Sequence, residues 1–397
     1  MLVSTVELLS RVRESANLGL TGTAGVGIDW KAVIERKNGI VASWSAGKGK
    51  GLEKAGVTVL KGRARFVSPH ELRVDGRAVS AEKIIIATGA LPARPPIAGV
   101  ERALTSDELL ELTTLPARMV VVGGGFIGLE LGFAFARAGT SVTVLQSGPL
   151  LLPRVDHDMR EALLEIGRRV GIAFATSVKV VAIESDRVAA KVAGAARSFP
   201  ADVVLLATGR PANLAGLGLE AAGVAHDSRG VRVNDHLQSV SAPHVFAAGD
   251  AAGRHQHTPV AWYEGPLAAR NAVRGPNEKA DYGLLPTALF TIPALGQVGL
   301  TEEDARRTGA QVVVHRTAIE DNPAAGVRGE EDGLVKIVYE EGTERLLGVH
   351  VLGPHAEDLV QIAAVAMRGG LTRREVASTH YVFPTLGGAI FDAMAGW

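Results

Sequence analysis

Apolar and polar residues follow two rhythms along this chain. Near the N-terminus Glu7, Arg11, Arg13 and Glu14 are spaced among apolar neighbours, which predicts an amphipathic helix rather than a signal peptide. Elsewhere short unbroken apolar runs end in glycine turns. Ile84–Ile86 leads into Ala87-Thr88-Gly89, residues 119–122 into Gly123, Val203–Leu206 into Ala207-Thr208-Gly209, and residues 245–248 into Gly249-Asp250. Such β-branched runs closed by turn residues read as strands. In residues 356–370 Leu359, Ile362, Ala363 and Ala366 recur on one helical face, with Gly369 and Gly370 as the stop. Thr301 with Asp304 and Thr372 with Glu375 have the spacing of capping boxes, each predicted to open a short helix.

One segment imitates a membrane span. Between residues 119 and 136 only Glu130 is charged, and Gly124, Gly128 and Gly132 recur every fourth position. Three valines, three glycines and a second β-branched run at residues 142–145 instead predict strand, turn, helix and strand. No membrane partner is expected.

That turn carries chemistry. Gly123, Gly125 and Gly128 supply G-x-G-x-x-G directly behind a strand. The first glycine permits a tight turn, the second lets backbone approach a pyrophosphate, and the third lets helix and strand pack closely. The following helix start offers unpaired N–H groups to phosphate. Gly139 is placed to end that helix. Gln146 and Ser147 stand at the end of the second strand, where an acid would hold the ribose diol of NAD. Gln neither repels a 2′-phosphate nor grips a diol, so NAD and NADP both remain open, with a slight lean towards NADPH.

Composition narrows the partners. Lys plus Arg equals Asp plus Glu at 42 each, so no net positive field draws nucleic acid. The chain holds no cysteine, which removes thiolate nucleophiles, disulfides and sulfur metal sites. His255 and His257 lie in a predicted loop without further ligands at usable spacing, so no metal is expected. A cytoplasmic location is expected from the helical N-terminus and the missing cysteine.

The two Ala-Thr-Gly strands form an internal repeat. Thr208 lies 85 residues after Gly123 (208 − 123), and the same offset back from Thr88 lands on residue 3, where no glycine cradle stands. The clusters at residues 22–27 and 47–51 lack the strand or spacing of a phosphate loop and are expected to be flexible or helix-flanking turns. One dinucleotide domain is therefore complete and a second is represented by its latter part. Asp250, behind a strand and glycine, can accept hydrogen bonds from a polyol, and Pro259 suits the first turn of a helix that follows.

The order of ATG, GGGFIGLELG, ATGRPAN, VFAAGD, TPVAWYEG, FTIPALGQVGLTEEDAR and LLGVHVLGPHAEDLVQIAAVAM resembles that of the pyridine nucleotide-disulfide oxidoreductases, from near residue 4 to near residue 392. The resemblance implies an α/β fold with two Rossmann-like dinucleotide-binding domains, the first incomplete and interrupted by the second, and a C-terminal α+β dimerisation domain. The expected division is residues 1–113 and 236–280 for FAD, 114–235 for NAD(P), and 281–397 for dimerisation. A homodimer is implied. The implied cofactor contacts are Thr88, Gly89, Ile127, Gln146, Ser147, Val180, Gly209 and Gly249, with Gly123, Gly125 and Gly128 as the NAD(P) cradle, Phe126 as an aromatic gate over the nicotinamide pocket, Asp250 on the flavin's ribityl and phosphate region, and the helix opening at Thr258, Pro259, Val260 and Ala261 facing the flavin's N1 and O2 edge. Glu130 would lie near the flavin, where the family pairs it with a lysine.

The departures from the pattern shape the expected function. Family members open with an FAD cradle and a helix bearing C-x-x-x-x-C, and Met1 aligns beyond these, so the chain reads as N-terminally truncated and FAD affinity is expected to suffer. The family's His-Pro-Thr-x-x-Glu is replaced by Phe383-Pro384-Thr385 with Gly388, and neither Phe383 nor Gly388 can move a proton. His380, three residues earlier, is expected to be a surface or capping residue and not a displaced catalyst. No catalytic side chain is therefore assigned. The leading expectation is an FAD-dependent NAD(P)H oxidoreductase that passes electrons to a small-molecule acceptor rather than a dithiol. The alternative is a catalytically silent NAD(P)-binding dimer.

Overall fold

The structure is a computed structural model that describes residues 1–396, and the chain divides into two compact units. The first contains Met1–Asn38, Arg94–Thr208 and residues 283–396; the second contains Gly39–Ala93 and Gly209–Tyr282.

In the first unit a parallel sheet runs in the order Leu104–Thr105, Val203–Leu206, Arg118–Val122, Ser141–Leu145, Ile172–Ala175. Val120 and Val121 are fully buried, as a strand covered on both faces requires. The helix Phe126–Ala138 buries Leu129, Phe133 and Phe135 and ends at Gly139 in the left-handed region, φ 119°. The N-terminal helix Leu2–Glu14 contributes Leu2 and Val6 to the same core, beside Trp30, whose ring meets Phe135 edge-on at 5.0 Å. Between the last two parallel strands in sequence lies an antiparallel sheet of Val178–Ile183, Arg187–Val192 and Ala195–Pro200. The C-terminal part of the unit is an antiparallel sheet ordered Thr287–Leu289, Ala294–Gly299, Leu346–Gly353, Leu334–Glu340, Val312–Ala318, and the helix Ala356–Arg368 buries Leu359, Ala363 and Ala366.

Lys336 projects from this sheet into the start of the helix His157–Arg169. Its ammonium donates to Asp156 and Asp158 at 2.7 Å each and lies 2.8 Å from Glu302, although Lys336 is only 1% exposed. Asp156 also caps the helix by accepting from Asp158 N–H.

In the second unit Ile84–Ile86 pairs in parallel with Val245–Ala247, and the helix Thr258–Arg274 packs through Leu267, Ala268 and Ala272 on Phe246 and Leu237. An antiparallel sheet of Ala64–Ser68, Glu71–Val74 and Arg77–Ser80 completes it.

Two expectations need correction. Residues 47–51 are not turns: Gly47, Gly49 and Gly51 lie inside the helix Trp30–Lys54. Each exposed helix glycine costs about 1 kcal/mol relative to alanine, but a nucleated helix gains a hydrogen bond for every residue it adds. Glycine spacing alone therefore marks no break. Thr301 forms half a capping box. It accepts the Asp304 N–H at 3.1 Å, yet the Asp304 carboxylate takes the Thr301 hydroxyl instead of returning to the backbone. Asp304 is one carbon shorter than the Glu375 that closes the full box with Thr372.

Candidate functional site: two half-sites for dinucleotides

In the first unit the turn after Arg118–Val122 is built by close contacts. Gly123 adopts φ 113° and donates its N–H to Leu145 O at 2.8 Å, and a side chain there would strike the Ala207 carbonyl. A Cβ at Gly128 would strike the Gly123 carbonyl, so the helix can approach the strand only without one. Gly125 is different: a Cβ there would meet nothing within 4 Å. Gly125 is also the N-cap of Phe126–Ala138 and, having no side chain, adds no cap of its own. A cradle that is tight behind and open in front, at a helix N-terminus, fits a pyrophosphate.

The other expected residues of this half-site surround the turn or the strand ends. Phe126 and Ile127 are half-buried in the first helical turn, Ser147 is exposed at the end of Ser141–Leu145, and Val180 is half-buried in Val178–Ile183. Gln146 does not point outward as a ribose ligand would. Its Oε1 accepts the Gly124 N–H at 3.0 Å and so braces the turn. Glu130 accepts the Phe290 N–H at 3.0 Å, a backbone partner in place of the family's lysine, and burial pushes its carboxyl above the usual range.

The second half-site belongs to the other unit. The strand Ile84–Ile86 leads to Thr88 and Gly89, where Asn213 N–H donates to Gly89 O at 2.8 Å, and Gly209 lies in the same unit. The parallel strand Val245–Ala247 leads to Gly249 and a half-buried Asp250. A Cβ at Gly249 would come within 3.1 Å of Ala261, in the first turn of Thr258–Arg274. That helix carries no side-chain cap, has Pro259 in its first turn, exposes Thr258 and Pro259, and buries Val260. Glycine here thus brings Asp250 beside a helix end that favours negative charge, an arrangement that fits the ribityl and pyrimidine side of a flavin.

Sequence reasoning missed the support beneath this corner. Glu264, fully buried, accepts the Gly249 N–H at 2.6 Å and the Tyr282 hydroxyl at 2.5 Å. Burial raises the Glu264 carboxyl above its ordinary range, and burial together with Glu264 also raises the Tyr282 phenol. His255 lies against the Tyr282 ring, centroids 4.7 Å apart, and burial followed by His255 lowers the pKa of His257. Among the described residues His355, Glu357 and Asp358 come within ligating reach of one another, but the Arg328 guanidinium stands 3.4 Å from His355 Nε2 and opposes a second cation there.

Comparison with known proteins agrees with this reading of the elements. The family model described as pyridine nucleotide-disulphide oxidoreductase matches residues 12–265, and that of its dimerisation domain matches residues 285–394. A mercuric reductase of Bacillus cereus is 34% identical over 372 residues, spanning 92% of this chain and 59% of the reductase. A glutathione reductase of Burkholderia cepacia is 34% identical over 365 residues, spanning 92% of this chain and 81% of its own length. Among solved structures the HOCl-induced flavoprotein disulfide reductase RclA from Escherichia coli superposes with a TM-score of 0.86 at 28% identity, covering 98% of this chain and 89% of that one.

Proposed function

From the premise that this chain belongs to the pyridine nucleotide-disulphide oxidoreductase family, we propose that it is an FAD-dependent NAD(P)H oxidoreductase whose final acceptor is a small molecule and not a dithiol. The observation that carries the reading is the open front of the cradle at Gly125, at the N-terminus of Phe126–Ala138. The sequence contains no cysteine and has Phe383 where the family's acid–base histidine stands and Gly388 where the glutamate that orients it stands, which favours the non-dithiol acceptor.

FAD, when bound, would accept hydride from the nicotinamide. The chain's own contribution is positioning and field. Gly123, Gly125 and Gly128 would seat the pyrophosphate of NAD(P)H, with Gln146 holding the turn in shape. Asp250 would accept hydrogen bonds from the flavin's polyol, and the start of Thr258–Arg274 would stabilise negative charge on its ring. The proposed division is residues 1–113 with 236–280 for FAD, 114–235 for NAD(P) and 281–397 for a homodimer contact.

A second reading, a silent NAD(P)-binding dimer, is favoured by one observation. Among the described residues the parallel pair Ile84–Ile86 and Val245–Ala247 has no third strand, and Ile85 is 39% exposed. An absorbance spectrum of the purified protein with and without added FAD separates the two. A visible flavin band that bleaches on addition of NADPH or NADH is the expected result. A colourless protein that binds nucleotide but takes up no FAD would overturn the oxidoreductase reading.

A further inference from the structure

The turn after Val245–Ala247 is held by backbone on both sides of Gly249. Before it the Ala248 N–H donates to Ile86 O at 3.1 Å; beyond it the Val231 N–H donates to Ala251 O at 2.9 Å and the Gly253 N–H to Asp250 O at 3.1 Å. Gly249 itself is held by a side chain. It adopts φ 66°, in the left-handed region, and its N–H donates to Glu264 Oε2 at 2.6 Å. The amide so gripped belongs to the residue directly before Asp250, and its orientation fixes where the Asp250 carboxylate emerges.

Packing does not explain an acid at this position. The helix Thr258–Arg274 buries Val260, Glu264, Leu267, Ala268, Asn271 and Ala272, and of these only Glu264 can carry charge. A carboxylate buried in this way weakens a core unless donors reach it. Here the Gly249 N–H reaches one oxygen and the Tyr282 hydroxyl reaches the other at 2.5 Å, while the Arg254 guanidinium lies over the Tyr282 ring, 5.9 Å from its centroid. An apolar side chain would fill the same space without needing any of these partners. What the acid adds is reach. Ala261, which a Cβ on Gly249 would approach to 3.1 Å, stands one helical turn before Glu264, so the glutamate has the length to span back to the turn.

We infer that Glu264 is the positioning residue of the flavin corner: by gripping the Gly249 N–H it sets the direction of Asp250 before the cofactor arrives, and Tyr282 steadies the grip through the second carboxylate oxygen. The inference rests on the flavin half-site proposed above. An acceptor already in place spares binding the cost of ordering the turn.

The test titrates the purified full chain, stripped of flavin, with FAD by quenching of flavin fluorescence, and with NADPH by calorimetry. Glu264→Leu is expected to bind FAD about tenfold more weakly or worse, the scale of a lost hydrogen bond to a charged group. Glu264→Asp keeps the charge but is one carbon shorter, and is expected to lose affinity likewise. In Glu264→Gln the amide oxygen can still accept from Gly249 while the NH2 donates to the Tyr282 oxygen, so wild-type FAD affinity is expected. The Asp and Gln variants decide the question without Glu264→Leu if that chain does not fold. Amide hydrogen exchange at Gly249, measured without FAD, should be slow in wild type and the Gln variant and fast in the others. NADPH affinity should stay unchanged throughout, since Gly123, Gly125 and Gly128 lie on other elements. Undiminished FAD affinity in the Leu and Asp variants, a loss in the Gln variant equal to theirs, or equal losses for FAD and NADPH would overturn the inference and leave the flavin reading standing. Failure of wild type to take up FAD would overturn that reading and the inference with it.

Discussion

At the residue scale, the three cradle glycines do unlike work, and alanine separates them. Gly125 has φ −85° and open space at its Cβ, whereas a Cβ at Gly128 meets the Gly123 carbonyl. Gly125→Ala is expected to cost less than about 1 kcal/mol of stability, the scale of a changed N-cap. It should nevertheless weaken NAD(P)H binding about tenfold or more, because the methyl occupies the approach to a charged ligand. Gly128→Ala should instead lose about 1–3 kcal/mol through overpacking. Urea unfolding and calorimetric titration of both variants would check this. Equal effects of the two on binding and on stability would contradict the assignment of Gly125 to the ligand side.

At the element scale, Lys336 ties the sheet Thr287–Ala318/Leu334–Gly353 to the helix His157–Arg169 through Asp156, Asp158 and Glu302. Burial works to lower the Lys336 pKa, but the three carboxylates outweigh it and raise it; burial works to raise those of Asp156 and Asp158, and Lys336, with the Glu302 N–H at Asp156 and Arg316 at Asp158, together outweigh it and lower them. The Lys336 hydrogen bond is the largest cause of the lowered Glu302. Stability from the lowered carboxylates is complete above their ordinary range and is lost as pH falls through the lowered values. Stability from the raised lysine is complete below its ordinary range and is lost as pH rises through the raised value. Lys336→Met is expected to cost about 3 kcal/mol near neutral pH, since it strands the buried Asp156 carboxylate, whereas Asp158 and Glu302 keep Arg316. The gap to wild type should narrow below the ordinary carboxylate range, where the carboxylates take up protons. Urea titrations at several pH values would read this, and a gap independent of pH would rule out an electrostatic origin.

At the scale of the whole molecule, the C-terminal domain displays apolar side chains that its own fold does not cover. Val365 is 74% exposed, Val382 76% and Phe383 68%, within the region matched by the dimerisation model. Exposed apolar residues of this kind mark interaction surfaces. Sedimentation equilibrium at micromolar concentration is expected to give a dimer, and Val382→Asp/Phe383→Asp to shift it towards monomer. A wild type that stays monomeric would refute the homodimer. Among the described residues no helix is long and apolar enough to cross a membrane, in line with the strand, turn and helix read in residues 119–136.

Local pattern was enough for most features whose cause is local. The valine run at residues 119–122 became a buried strand, Gly139 closed its helix, and Thr372 with Glu375 closed a full capping box, because backbone sterics and short-range hydrogen bonds act over a few residues. The cradle was legible for the same reason, since Gly123, Gly125 and Gly128 lie within one turn. Glycine also misled: residues 47–51 continue a helix, where propagation outweighs propensity. The supports around the half-sites could not be read from spacing. Lys336 meets Asp156 across 180 positions, Glu264 lies under Gly249 beside Tyr282, and Gln146 bends back onto Gly124. Buried polar and charged side chains take whichever partner folding brings within reach, so their pairings depend on the packed chain and not on local order along it.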